Sequence, residues 1–194
     1  WALDFLHLML RAKAVKYKQG KTKPRDKILS STDAVGSLAG IPVVTSIVNA
    51  VNKSAAGRKV LESTLGVHPQ ARVPEYHSDT LRKRLAKMVG RAADGEAAGP
   101  TTGKVALFTT CYNNFNEPAV GMDLAAVFEH NGIAVTIPHQ ERCCGMPKLE
   151  LGDLESVDKA KDVNIPILKQ LVDKGWDIVA PIPSCVLMFK QELP

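Results

Sequence analysis

Four cysteines, Cys111, Cys143, Cys144 and Cys185, are the residues of this 194-residue chain whose type and placement point most directly to chemistry. Thiolates within reach of one another repel, and a cluster of iron or a zinc ion is the usual compensation. Cys143 and Cys144 are adjacent. A disulfide between them would distort the peptide they share, whereas both can ligate different irons of one cluster. Gly145 follows the pair, leaving room near the backbone and permitting φ > 0. Pro183-Ser184-Cys185 reads as a helix start, with Ser184 as N-cap and Cys185 on the first turn, where the helix dipole favours a thiolate. One buried cysteine is commonly just a small apolar residue. Four at matching places in a fold call for a shared partner.

Other side chains flank the cysteines with weaker claims. His139, just before the pair, could be a ligand or a proton donor, though a loop histidine with an ordinary hydrogen bond is the commoner case. Tyr112, Asn113 and Asn114 are placed to donate toward sulfur, and turn chemistry alone also selects Asn there. Met188 lies one helical turn beyond Cys185, a spacing more often met in a core. Glu117, Glu141 and Arg142 offer acid–base chemistry only where a substrate docks.

The elements that must position these residues follow from hydrophobic pattern. KVALFTT (104–110) reads as a strand buried on both faces, IAVTIP (133–138) as a second and DIVAPI (177–182) as a third. Between them the spacing predicts a helix over 117–131, stopped by Asn131-Gly132, and a long helix over 154–174 that Pro166 kinks or restarts. The order β-α-β-α-β implies a parallel sheet in a Rossmann-like α/β domain. Each cysteine then follows the carboxyl end of a strand, the edge where open α/β sheets bind ligands. The 31 residues between Cys111 and Cys143 and the 40 between Cys144 and Cys185 are each about one crossover long.

Upstream, the pattern is helix after helix. Leu3, Leu6 and Leu10 with Arg11, Lys13, Lys16 and Lys18 make an amphipathic helix that runs into the basic linker KYKQGKTKPRDK. Residues 33–51, interrupted at Gly36, Gly40 and Pro42, predict two short helices or a helix and a loop. Another helix spans 55–65, and an amphipathic one runs over 78–91 through Leu81, Leu85 and Met88, capped by Ser78 or Asp79. GRAADGEAAGPTTG (90–103) then reads as a solvated linker. The expected organisation is a helical, basic connecting region over 1–92, a linker over 93–103 and the cysteine-bearing domain over 104–194.

At this point the residues resemble a family. Cys111, then Cys143-Cys144-Gly145, then Cys185 in PSCVLMFKQELP is similar to the CCG cysteine-rich domain of heterodisulfide reductase, of lactate-utilisation iron–sulfur proteins and of the iron–sulfur subunit of anaerobic glycerol-3-phosphate dehydrogenase. FLHLMLRAKAVKYKQG and LESTLGVHP also resemble the stretch that precedes the first CCG domain in the last of these. The resemblance implies an electron-transfer subunit in which the four cysteines ligate an iron–sulfur cluster, [4Fe–4S] and in some members non-cubane. It further implies a flavin dehydrogenase partner subunit, with a quinone or a disulfide-type acceptor. Where many CCG domains close with CxxC, this chain has Met188, and both the family's ferredoxin cysteine run and its second CCG copy are absent. An internal fragment of a longer protein is therefore expected.

Charge and composition narrow the partners. Residues 1–100 carry 17 Lys and Arg against 8 Asp and Glu, and residues 101–194 carry 8 against 12. A basic half can meet nucleic acid, an anionic membrane surface or an acidic subunit, or simply face solvent. Aromatics at 5% and the lack of a nucleic-acid-binding motif rank nucleic acid last. Four cysteines are too sparse for a disulfide scaffold, and the first residues lack the charge-then-apolar order of a signal peptide. The expected place is a reducing cytoplasm, with peripheral contact at the inner face of the cell membrane. A four-thiolate zinc module is the alternative, although paired C-x₂₋₄-C hooks are lacking. A thiol–disulfide oxidoreductase on Cys143-Cys144 lacks its C-x-x-C.

Overall fold

A computed structural model of the chain describes residues 4–88 and 103–193. Three short strands, β1 (Lys104–Leu107), β2 (Ala134–Thr136) and β3 (Asp177–Val179), form one parallel sheet in the order β2-β1-β3. Lys104 to Ala106 pair with Ala134 to Thr136, and Val105 to Leu107 with Asp177 to Val179. The central strand is the most apolar and the most buried, as a strand covered on both faces must be. All three ladders stop earlier than the apolar runs predict. Phe108 still donates its N–H to Val179 O at 2.8 Å, and then Thr110 turns to φ 56, closing the strand.

Helices fill the rest of the chain. The N-terminal region holds α1 (Phe5–Lys18), α2 (Pro24–Leu29), α3 (Thr32–Ala39), α4 (Pro42–Lys53), α5 (Ala55–Leu65) and α6 (Leu81–Ala86). The crossover from β1 to β2 contains α7 (Cys111–Phe115) and α8 (Pro118–His130), and that from β2 to β3 contains α9 (Met146–Leu151) and α10 (Leu154–Asp173). After β3 come α11 (Pro183–Leu187) and a π-helical turn, Met188–Glu192. The α/β reading with a helical N-terminal region and a three-stranded parallel β-α-β-α-β unit is what the structure has. The linker expected over 93–103 lies, except for Gly103, outside the described residues.

Several local expectations change. Pro166 sits inside α10 without dividing it; the helix loses one hydrogen bond there and is held by buried Asn164 and Leu168 on either side. The cap of α6 is Thr80, whose hydroxyl accepts from the Lys83 N–H, rather than Ser78 or Asp79. Ser184 is not the cap of α11, which begins at Pro183 after extended Ile182. Part of the supposed basic linker is α2, started by Pro24 at its first turn. Among the described residues no single helix is long and apolar enough to cross a membrane; α3 and α4 reach that composition only as a pair bent by 108°.

Two apolar clusters cover the sheet. One joins Leu81 and Leu85 of α6 to Leu107 and Ala125. The other joins Phe108, Val157, Leu168 and Met188 to Cys144 and Cys185. The N-terminal helices meet the sheet unit through close backbone approaches at glycines. A Cβ on Gly152 would lie 2.6 Å from the backbone of Lys13 and Ala14 in α1, and one on Gly36 of α3 would lie 2.3 Å from the Phe115 ring. Leu81 similarly occupies the space a side chain at Gly121 would need.

Candidate metal centre

The sheet brings the four cysteines to one edge, each beyond the end of its strand. Cys111 opens α7 immediately after the Thr110 turn, and the Thr110 hydroxyl caps that helix by accepting from the Asn113 N–H at 3.2 Å. A positive φ at a β-branched residue costs on the order of 1–3 kcal/mol. The chain tolerates it one residue before a candidate ligand. Cys143 and Cys144 lie on the loop after β2, and Gly145, at φ 98, turns that loop into α9. Asn164 of α10, buried, holds the loop: its Oδ1 accepts from the Arg142 N–H at 2.8 Å, and its Nδ2 donates to the carbonyls of Arg142 and Cys143. Cys185 comes from α11 and is buried with Cys144; Cys111 and Cys143 are half-buried.

The sulfurs run in a row. Cys143 donates to Cys111 Sγ at 3.7 Å, Cys144 interacts with Cys143, and Cys185 with Cys144. All four are free thiols. Cys111 is pushed well up by its hydrogen bond with Cys143, by burial and by the Cys143 charge. The bond to Cys111 favours the Cys143 thiolate, yet the bond to Cys144, burial and the charge of Cys144 outweigh it, and Cys143 is pushed up to about 11. Cys144, favoured as thiolate by Cys143 but opposed by Cys185 and burial, is pushed up to about 12. A set of thiols that resists ionisation together needs a bound cation to become a set of thiolates.

The donor set suits iron–sulfur ligation, since it is all sulfur, largely buried and distributed over three loops. Among the described residues no three Cys, His, Asp or Glu side chains gather as they would around a single ion. A row of thiols matches a cluster of several metals better than one tetrahedral ion.

Sequence reasoning missed a side chain from the helical region. Thr32, the first residue of α3, sets its hydroxyl 3.4 Å from Cys111 Sγ and 3.9 Å from Cys143 Sγ. Nothing in the local pattern around Thr32 could have signalled this contact across 79 residues. Beside it, Lys148 of α9 donates to Ser31 Oγ at 2.7 Å. Three cavities meet at the thiols. One of about 260 Å³ is bordered by Arg82, Glu141, Cys111 and Cys143; one of about 430 Å³ by Leu29, Val48, Leu61 and Cys111; one of about 460 Å³ by Ser31, Lys148, Cys143 and Gly145.

The flanking candidates fare differently. Met188 is fully buried among Phe108, Val157 and the two buried cysteines, so it is core beside the site. The Asn113 amide donates to Glu117 O, and Asn114 Oδ1 accepts from the Arg82 N–H, so both serve the protein's own backbone. Tyr112 and His139 are exposed. Glu141 is buried and anchored to Thr109 and Arg82, in a structural place that its position in a loop did not reveal.

A parallel α/β unit with cysteines beyond three strand ends defines a class, and the comparison agrees: residues 105–190 match the CCG cysteine-rich domain, and that stretch of the chain is such a domain. Over 188 residues the chain is 27% identical to the third, C-designated component of anaerobic glycerol-3-phosphate dehydrogenase of Escherichia coli (strain K12), covering 96% of this chain and 45% of the relative. It is 37% identical over 86 residues to lactate utilization protein A of an Exiguobacterium species, covering 44% of this chain and 34% of that one. It is 29% identical over 120 residues to the B-designated component of fumarate reductase (CoM/CoB) of Methanothermobacter marburgensis, covering 58% and 24%. The chain thus spans less than half the length of these relatives. No solved structure matches it.

Proposed function

We propose that the chain is part of an iron–sulfur electron-transfer subunit of an oxidoreductase, with Cys111, Cys143, Cys144 and Cys185 as ligands of a [4Fe–4S] cluster. The row of four thiols beyond three strand ends, with Cys111 and Cys143 at 3.7 Å, carries this reading. Such a cluster stores and releases single electrons. The chain's own residues hold the ligands in place: Asn164 fixes the loop of Cys143 and Cys144, the Thr110 turn and cap aim Cys111, and α11 presents Cys185. Relatives named as dehydrogenase and reductase subunits favour a partner subunit, here a flavin dehydrogenase that oxidises a small hydroxy compound such as glycerol 3-phosphate, with a quinone or a disulfide as acceptor. In this arrangement residues 1–92 form a docking region, 93–103 a linker and 104–194 the first cysteine-rich domain. The basic helices serve as a peripheral contact with an anionic membrane.

Anaerobic purification of the chain, with iron, acid-labile sulfide and EPR measured together, tests the reading. The expected protein is brown, contains iron and sulfide in equal amounts and gives an EPR signal in one oxidation state; Cys144→Ser loses most of the iron. One zinc per chain with neither iron nor sulfide would overturn it in favour of a zinc module.

A further inference from the structure

Helix α3 begins at the thiols, and its first side chain meets them. The Thr32 hydroxyl is 3.4 Å from Cys111 Sγ and 3.9 Å from Cys143 Sγ, and among the described residues no other non-cysteine side chain hydrogen-bonds this pair. We propose that Thr32 is a positioning residue that donates a hydrogen bond to these two sulfurs and sets the reduction potential of the cluster they hold; this rests on the ligand assignment made above. A metal-bound sulfur has no proton to give, so the hydroxyl is the donor. Donation stabilises the reduced cluster, with its greater negative charge, more than the oxidised one, and so raises the potential.

The hydroxyl is held there from two sides. Gly36, one helical turn along α3, lies so close to the ring of Phe115 in α7 that a Cβ would come within 2.3 Å of it, and α7 is the helix that Cys111 opens. Lys148, on the helix that follows Cys144 and Gly145, fixes Ser31 at 2.7 Å. Thr32 is therefore tied to the elements that carry both sulfurs it touches. It also lies outside residues 105–190, so the helical region contributes a group that the cysteine-rich domain does not supply.

Midpoint potentials of the anaerobically purified wild type, Thr32→Val, Thr32→Ala and Thr32→Ser, measured by EPR-monitored titration with iron content determined on the same samples, test this. Val and Ala are expected to lower the reduction equilibrium constant about tenfold, about 59 mV for a one-electron couple. Ser, which keeps the hydroxyl, retains the wild-type value. Equal potentials at equal iron content overturn the proposal, as does a shift in Ser as large as that in Val. Loss of iron from both Val and Ala overturns it in favour of a role in cluster assembly. A wild type that holds no iron removes the ligand assignment and Thr32's role with it, a result distinct from the others because it is read before any variant is compared.

Discussion

Glu141 shows what a buried charge does beside the cysteines. Its side chain is 7% exposed, and its Oε1 accepts from the Thr109 N–H at 2.9 Å, from the Thr109 hydroxyl and from Arg82 at 2.7 Å. Burial pushes the carboxyl upward, against the charge of Arg82 and the bonds from Thr109. Arg82 also donates to Pro138 O at 2.8 Å, so one guanidinium joins α6 to the loop after β2. Removing it leaves a buried carboxylate without its counter-charge, which is far worse than never having had the pair. Arg82→Ala is expected to cost about 3 kcal/mol, and the double variant Arg82→Met with Glu141→Gln less than that. Urea unfolding of the three proteins at neutral pH measures both. A double variant less stable than the single would show that the pair stabilises by itself instead of merely avoiding an orphaned charge.

Among the elements, what could be read in the sequence depended on length and on repeat. The three strands, α8 and α10 stand out as apolar runs or 3.6-residue patterns with Gly stops, and the crossover lengths between cysteines follow from them. Helices α7, α9 and α11 have only five or six residues, too few for a pattern to show, yet they carry or follow every candidate ligand. Placing Thr32 at Cys111 and Asn164 at the Cys143 loop needs tertiary packing, and no local signal encodes it. Packing of α3 on α7 is decided at Gly36. Alanine there would gain about 0.5–1 kcal/mol of helix propensity, but its Cβ would fall 2.3 Å from Phe115, whose Cγ as well as its ring edge is in the way. Overpacking of this kind costs about 1–3 kcal/mol, so the clash wins. Gly36→Ala is expected to lower the thermal midpoint, and a second change, Phe115→Leu, to restore part of it. An alanine variant more stable than wild type would mean that α3 is free to move away from α7.

At the scale of the whole molecule, charge and apolar surface fall on the same half. Residues 1–100 hold 17 basic side chains against 8 acidic ones. That half also exposes Leu38 and Ile41 at the α3–α4 bend, and Val43, Ile47 and Val51 at four-residue intervals along α4. Spacing by four puts the last three on one stripe. An apolar stripe on a basic body fits the interface of an anionic bilayer, where acyl chains take the stripe and lipid headgroups the lysines. An acidic partner subunit would engage the same charges without needing the stripe. The two are separable with vesicles. Sedimentation with anionic vesicles, loss of binding in neutral ones and release by salt are expected, since the electrostatic part is screened within a Debye length. Ile47→Glu, which removes apolar area from the stripe and adds a like charge to the lipid, is expected to weaken vesicle binding about tenfold, equivalent to about 1.4 kcal/mol. Binding that responds to salt but not to Ile47→Glu would assign the basic surface to charge alone and leave the α4 stripe to a protein partner.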